Sequence, residues 1–384
     1  MSAVLSPVAP TGRFDQATLD DVRSREPLSN IFERFGHKIR RAGRVHECLC
    51  PFHAERTPSC TIDDAKGVFF CHGCSAGGDL IDAVMRFRGC EFPDAVEFLG
   101  GARELSEFDR ARLDKQRRDR EAEAAAERRR TSMSVERLLA DCRAYAGTHA
   151  EAYLGARGLA PSASQTRDLR FHPGLTYRGF ATPTSQETEP LGIYPAMIGV
   201  IRDAVGVVIG LHRTYLDPVE PRKMTVPGDT KRNRAKKILG EHRGGSIALS
   251  LPSPRMAYGE GIETVLSWRA LGHGIDEGYG LASTVSLGNM SGSATGTLPH
   301  PTRERDGRPL PIPNGIPDLE RPGFVPGPDV IDAVLLGDGD SEAISTRMRL
   351  LTAARRYAVG GRSVGVHMAP DGEDFNDALL RDLA

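Results

Sequence analysis

The sequence predicts a multidomain fold: a small β-rich ribbon with flanking helices, then an α+β region, then an α/β domain. Three observations predict it. Two short pairs of Cys and His residues, Cys50–His53 and Cys71–Cys74, are separated by 17 residues near the start of the chain. Apolar, β-branched runs separated by turn residues fill the middle. Apolar strands that end on acidic residues alternate with helical stretches in the last third. At 384 residues the chain has room for two or three domains, each with its own core.

Residues 1–15 read as a loose tail. Leu19 to Phe35 is expected to be helical, with Val22, Leu28, Ile31 and Phe35 near helical spacing. The Cys/His quartet follows. Two intervening residues let a tight turn present both side chains to one ion, and two such turns on neighbouring loops close a tetrahedron. Zinc takes this donor set, and four protein ligands leave no position for substrate, so the zinc is expected to be structural. The competing reading is ordinary buried cysteines and a surface histidine. It fits poorly with Phe69-Phe70 before the second pair and Gly73, Gly77 and Gly78 after it, a strand running into tight turns. Cys48 and Cys60 read as small core residues. The ribbon is expected over Ile39 to Gly78. Asp79 caps a helix from Leu80 to Phe87, and a short helix from Pro93 to Leu99 closes a unit at 16–102.

The stretches CPFHAERTPSCTI and VFFCHGCSAGGDLIDAVMRF resemble the N-terminal zinc-binding domain of bacterial replicative primases, over residues 30–100. Thr57-Pro58-Ser59 and the Gly-Gly-Asp run into the helix at Leu80 belong to the resemblance. Cys60 departs from it, standing where an aromatic is common. The resemblance implies a ribbon that helps to hold single-stranded template.

Residues 103–133 are charged and alanine-rich, which predicts a solvated helical linker supported by mixed-sign i,i+4 pairs. The sharper alternative is a nucleic-acid-binding arm carried by Arg128, Arg129 and Arg130. Residues 134–244 read as an α+β segment. It begins with a helix from Ser134 to about Tyr153 and includes a hairpin, Ala196–Arg202 and Val207–Tyr215, around the turn Asp203–Gly206. A dense basic run follows, and Lys223, Lys231, Arg232, Lys236 and Lys237 are the candidate phosphate ligands within it. It is either a solvated face or a phosphate-binding surface, whose contacts would be sequence-independent and salt-sensitive.

Residues 245–384 carry apolar strands at IALSL, RMAYGEG and DAVLLGDGD. The Pro/Gly-rich stretch 291–328 has no periodicity and is expected to be a long loop or insertion. Glu260 follows one strand at the head of a helix. Asp338 and Asp340 end another, and Asp374 and Asp377 come near the C-terminus. In an extended segment residues i and i+2 face one side, so Asp338 and Asp340 can share a hard cation such as magnesium. Strand C-termini are also where α/β sheets bind ligands. Taken alone, Asp-Gly-Asp reads as a turn and Glu260 as a charge serving a helix N-terminus. Taken in order, these pieces resemble the Toprim domain shared by primases, topoisomerases and some nucleases. That resemblance implies a catalytic Glu260, a metal-binding pair Asp338 and Asp340, and a third acidic motif at Asp374, with Asp377 less well matched. Glu263 is expected on the helix surface.

A net charge of −1 excludes a global basic field, so nucleic-acid contacts must come from local patches. Seven cysteines in so long a chain are not a secreted disulfide framework. With no signal-peptide core and no apolar run of about 18 residues, the expectation is a cytoplasmic protein without a membrane span. No P-loop motif is present, which argues against a fused helicase motor. Together the resemblances imply a DNA primase-like nucleotidyltransferase using structural zinc and magnesium. Its partners would be a single-stranded DNA template, nucleoside triphosphates and a separate replicative helicase. The alternatives are a Toprim nuclease or a non-catalytic DNA-binding accessory protein of a mobile element.

Overall fold

A computed structural model describes residues 14–53, 55, 58–74, 76–101, 107–305 and 308–384. Of the tail expected over 1–15, residues up to 13 lie outside the described residues, as do Thr57 and the start of the linker at 103–106. Phe14 and Asp15 are not loose: Phe14 is buried in a core cluster, and Asp15 caps the first helix. The chain clusters into two compact units, Met1–Glu127 and Arg128–Ala384.

In the first unit, α1 (Gln16–Ser24) and α2 (Leu28–Arg34) stand where a single helix was expected. Pro27 makes the break. It has no N–H for the helical ladder, and with ψ at 143° it serves as an extended N-cap for α2. The strands β1 (Ile39–Ala42), β2 (Val45–Cys48), β3 (Cys60–Asp63), β4 (Val68–Cys71) and β5 (Gly77–Gly78) form one antiparallel sheet in sequence order, matching the expected ribbon. Next come α3 (Leu80–Arg88) and α4 (Phe92–Phe98). Asp79 accepts from the amides of Ile81 and Asp82 while Asp82 answers the Asp79 amide, a full capping box. Phe32 is fully buried at the centre of this unit, edge-on to Phe52, Phe69 and Phe87 at 6.3, 5.4 and 5.1 Å.

The expected linker and the helix expected from Ser134 are one element, α5 (Glu107–Ala140). Its first part is not wholly solvated: Leu113 is buried, and Arg117 reaches Asp20 at 3.1 Å. The helix ends at Ala140 rather than near Tyr153. β6 (Arg143–Ala144) follows, and Gly147, at φ 72°, turns the chain into a separate helix, α6 (His149–Ala156).

In the second unit, β6 joins β7 (Leu169–Gly179), β8 (Glu189–Arg202), β9 (Val208–Tyr215) and β10 (Lys236–Gly240) in an antiparallel sheet of order 10-9-8-7-6. The predicted hairpin is β8–β9. The chain continues through β11 (Ile247–Ala248), β12 (Arg255–Gly259), α7 (Ile262–Ala270), β13 (Gly280–Ser283) and α8 (Leu287–Ser291). It then passes through β14 (Thr297–Arg305), β15 (Arg308–Pro313), β16 (Asp332–Gly337), α9 (Ala343–Tyr357), β17 (Ser363–Met368) and α10 (Phe375–Leu383). A second sheet runs β11-β13-β12-β16-β17, parallel throughout except for β11. Both sheets of the unit share one core, in which Met197 and Ile201 of β8 join Ile247, Ala257, Val265 and Leu336.

The stretch 291–328 is not a plain loop: β14 and β15 pair as a two-stranded antiparallel ribbon. Pro299, Pro301, Pro309, Pro311 and Pro313 occupy alternate positions in it. In such a ribbon every second N–H points away from the partner strand, so proline at those positions removes no ladder bond. Among the described residues no helix is long and apolar enough to cross a membrane.

Candidate functional site

The turns after β2 and β4 present the quartet. The ligand atoms of Cys50, His53, Cys71 and Cys74 all lie within 4.8 Å of one another. Cys50 Sγ is 3.7 Å from Cys74 Sγ, and Cys71 Sγ is 3.4 Å from His53 Nδ1. A tetrahedron of zinc–sulfur bonds has edges of about 3.8 Å, so the donor set and its spacing fit zinc. The Phe52 amide donates to Cys50 Sγ and the Cys74 amide to Cys71 Sγ, both at 3.3 Å, as metal-bound thiolates require. Hydrogen bonds from Cys50 and Cys74 hold the Cys71 thiol far below its ordinary range. Gly73 is needed, because a Cβ there would come within 2.4 Å of His53 Nε2. Cys48 and Cys60 are buried in the core of the unit and stand outside the quartet.

One residue of this centre escaped the sequence reading. Glu55 lies 3.2 Å from His53 Nε2 and accepts from the amides of Cys50 (2.7 Å) and Ser59 (2.8 Å). The only signal for it was an acid between the two ligand pairs.

In the second unit Glu260, Asp338, Asp340 and Asp374 line one cleft of about 310 Å³. Parallel pairing explains the convergence. β12 and β16 are neighbours in register, so Glu260 and Asp338, each one residue past its strand, emerge at the same sheet edge. Asp338 and Asp340 do not lie in the strand but in the bend after it. Gly339 allows that bend to seat: its amide donates to Glu373 O at 2.9 Å, and a Cβ on it would meet Pro370 O at 2.0 Å. The same contact ties in the loop that delivers Asp374. Asp377 is not at the cleft. It exchanges capping-box hydrogen bonds with Asp374 at the start of α10.

The electrostatics are those of crowded, partly buried carboxylates. Burial, then Glu260, Asp374 and Asp340, push Asp338 up to about 7. Its Oδ1 is a buried atom without a hydrogen-bond partner. Glu260 is exposed as a residue, yet the surrounding atoms desolvate its carboxyl and raise its pKa, with Asp340 adding to the rise. An unsatisfied acceptor among mutually repelling carboxylates fits a hard divalent cation such as magnesium.

The structure divides the basic run. Lys223 and Lys236 line the acidic cleft, together with Arg157 and His212. Lys237 does not. Neighbours in a strand face opposite sides, and its Nζ turns to the Arg178 carbonyl and the Tyr177 ring. Arg232 lies over the Phe180 ring and donates to the Ser185 carbonyl at 2.9 Å, while Lys231 is exposed away from the cleft. Glu263 was expected on the surface and is buried instead. It accepts from Tyr153 Oη at 2.6 Å and Lys236 Nζ at 2.8 Å, and Lys223 Nζ is 3.4 Å away. Lys236 and His212 share one face of the β9–β10 pair, and burial, then Lys236, pushes His212 down to about 4.

Residues 14–114 match the family described as CHC2 zinc finger. The N-terminal region is a primase-type zinc ribbon. Residues 129–249 match a domain of unknown function, DUF7146. A DNA primase of Myxococcus xanthus is 34% identical over 156 residues, 40% of this chain and 25% of its own length. A DNA primase of Haemophilus influenzae is 26% identical over 253 residues, 60% of this chain and 42% of its own length. The chain thus spans less than half of either relative. Among solved structures, the zinc binding and RNA polymerase domains of the Aquifex aeolicus primase align with 95% of this chain and 82% of that one. At 15% identity and a TM-score of 0.34, that likeness decides neither fold nor function.

Proposed function

We propose that the chain is a primase-like nucleotidyltransferase that copies single-stranded DNA into short RNA primers. The observation that carries the proposal is the convergence of Glu260, Asp338, Asp340 and Asp374 on one cleft whose wall presents Lys223 and Lys236, in a chain that starts with a primase-type zinc ribbon. The order of the acids along the parallel sheet supports a Toprim domain. Cys50, His53, Cys71 and Cys74 are the proposed zinc ligands, and the ribbon they hold is the proposed template grip.

Asp338 and Asp340, with Glu260 and Asp374 beside them, would hold magnesium, which supplies charge neutralisation for phosphoryl transfer when bound. Glu260, with its raised pKa, is suited to take the proton of the attacking 3′-hydroxyl oxygen. Lys223 and Lys236 bind the triphosphate oxygens of the incoming nucleotide. Lys231, Arg232 and Lys237 are not proposed as nucleotide ligands. A separate replicative helicase and a cytoplasmic location follow from the family resemblance alone.

The test is the full chain incubated with single-stranded DNA, ribonucleotides and magnesium. Short RNA is expected, and Asp338→Ala or Asp340→Ala should abolish it. Cleavage of the DNA without RNA would replace the proposal with a nuclease. Binding alone would replace it with an accessory protein.

A further inference from the structure

His300 is 3% exposed, although its neighbours Leu298, Pro299 and Pro301 in β14 are exposed. Its Nδ1 accepts from the amides of Thr302 (3.2 Å) and Arg303 (2.9 Å). The ring proton therefore sits on Nε2, which lies 3.1 Å from Glu342 Oε1. Among the described residues Nε2 has no hydrogen-bond partner, so this is a close polar contact rather than a hydrogen bond. Glu342 is the N-cap of α9. Its carboxylate accepts from the amides of Ile344 (3.0 Å) and Ser345 (2.6 Å). It stands two residues after Asp340.

The same insertion also grips the other end of α9. Arg356 is 3% exposed and donates to the carbonyls of Ser291, Ser293 and Asp318. Arg355 donates to the carbonyl of Gly315 at 2.9 Å. α9 is thus strapped at both ends by the chain around the ribbon. Its first turn begins where the acidic bend ends, and Asp340 and Ser341 in between are exposed. Upstream, the bend is fixed by β16 and by Gly339. Downstream, the cap at Glu342 is its anchor.

We propose that the insertion is a brace for the Asp338–Asp340 bend and that His300, acting through Glu342, is its positioning residue. The proposal rests on the metal reading of the cleft. Magnesium demands nearly ideal octahedral geometry, so a loosened bend should lower metal affinity before it lowers anything else.

The experiment titrates the full chain with Mn²⁺ as a magnesium substitute, reading free Mn²⁺ by electron paramagnetic resonance, with thermal unfolding in parallel. His300→Asn keeps an acceptor near Nδ1 but loses the Nε2 donor. His300→Gln places an N–H near Nε2. His300→Asn is expected to weaken Mn²⁺ binding about tenfold, as loss of a group supporting a ligand does, and His300→Gln to restore most of it. A folded His300→Asn protein with wild-type Mn²⁺ affinity overturns the brace, even if its melting temperature falls. If His300→Asn does not fold, Glu342→Gln decides in its place, and unchanged affinity there overturns the proposal equally. A wild-type protein that binds no Mn²⁺ removes the metal reading itself and the brace with it. That outcome differs from unchanged variants beside a wild type that binds.

Discussion

Glu55 supports His53 from behind, leaving Nδ1 to face the sulfurs, and it also gathers the amides of Cys50 and Ser59. Burial works against its charge, but His53 and the hydrogen bonds from Ser59 and Cys50 hold its carboxyl below the usual range. A carboxylate behind a metal-bound imidazole fixes the ring and raises its basicity, so Glu55→Ala should weaken zinc binding roughly 10- to 100-fold in competition with a chelating dye. An unchanged affinity would make Glu55 a loop residue only. Asp338 carries a prediction of opposite sign. Its folded pKa of about 7 lies above the ordinary carboxylate value. Below pH 4 it is protonated in both folded and unfolded chains and makes no difference. As the pH rises from about 4 to about 7 the unfolded chain ionises first, and stability is lost. In magnesium-free protein at pH 8, Asp338→Asn should therefore be the more stable form by on the order of 2–4 kcal/mol in urea unfolding, and the gap should close toward pH 4. A gap that stays constant with pH would show that Asp338 is not the titrating group. In wild type, magnesium should recover the loss.

At the scale of elements, α7 shows what the sequence could and could not reveal. Ile262 through Trp268 are all buried, so the helix has no polar face and any acid in it must find cations inside. Glu263 finds Lys236 of β10, Lys223 and the Tyr153 hydroxyl of α6. Burial opposes its ionisation, yet the two lysines hold it well below the usual range. Glu263→Ala should leave both ammonium groups facing a gap and cost about 2–3 kcal/mol, below the range for a fully buried pair because both lysine side chains keep contact with water. A measured loss under ~1 kcal/mol would show the triad to be nearly neutral against its desolvation. Glu263 could not be placed from sequence, because its helix is buried from all sides by residues far along the chain. The Cys/His pairs were legible because their chemistry lies in local spacing. Glu260 and Asp338 were legible because an acid after an apolar strand is a local pattern, and parallel pairing then did the rest. The split between Lys236 and Lys237 follows from strand alternation, but it could be read only once β10 was known to be a strand. The β14–β15 ribbon was missed because alternate prolines look like loop, although a ribbon with free edges accepts them.

At the scale of the molecule, the boundary between the compact units falls inside α5, at Glu127–Arg128. The charged run and the helix after it carry no glycine or proline to separate them, so one helix forms across both. The two units differ in what holds them. The core of the second, with Met197, Ile201, Val265 and Leu336, spans two five-stranded sheets and includes none of the four proposed zinc ligands. The first sets short strands and short helices around Phe32, and Cys50 and Cys71 are themselves part of its buried core. A small core of this kind depends on its metal, because the binding free energy of a structural zinc is also folding free energy. Chelation of zinc, or Cys71→Ser, should therefore unfold the first unit and leave the second intact. Amide hydrogen exchange can read the two separately. Protection in β4 and α3 should be lost without zinc, while protection in β8 and β16 stays at its zinc-bound level. If protection in β8 and β16 falls together with that in β4, the two units unfold as one and the zinc supports the whole chain.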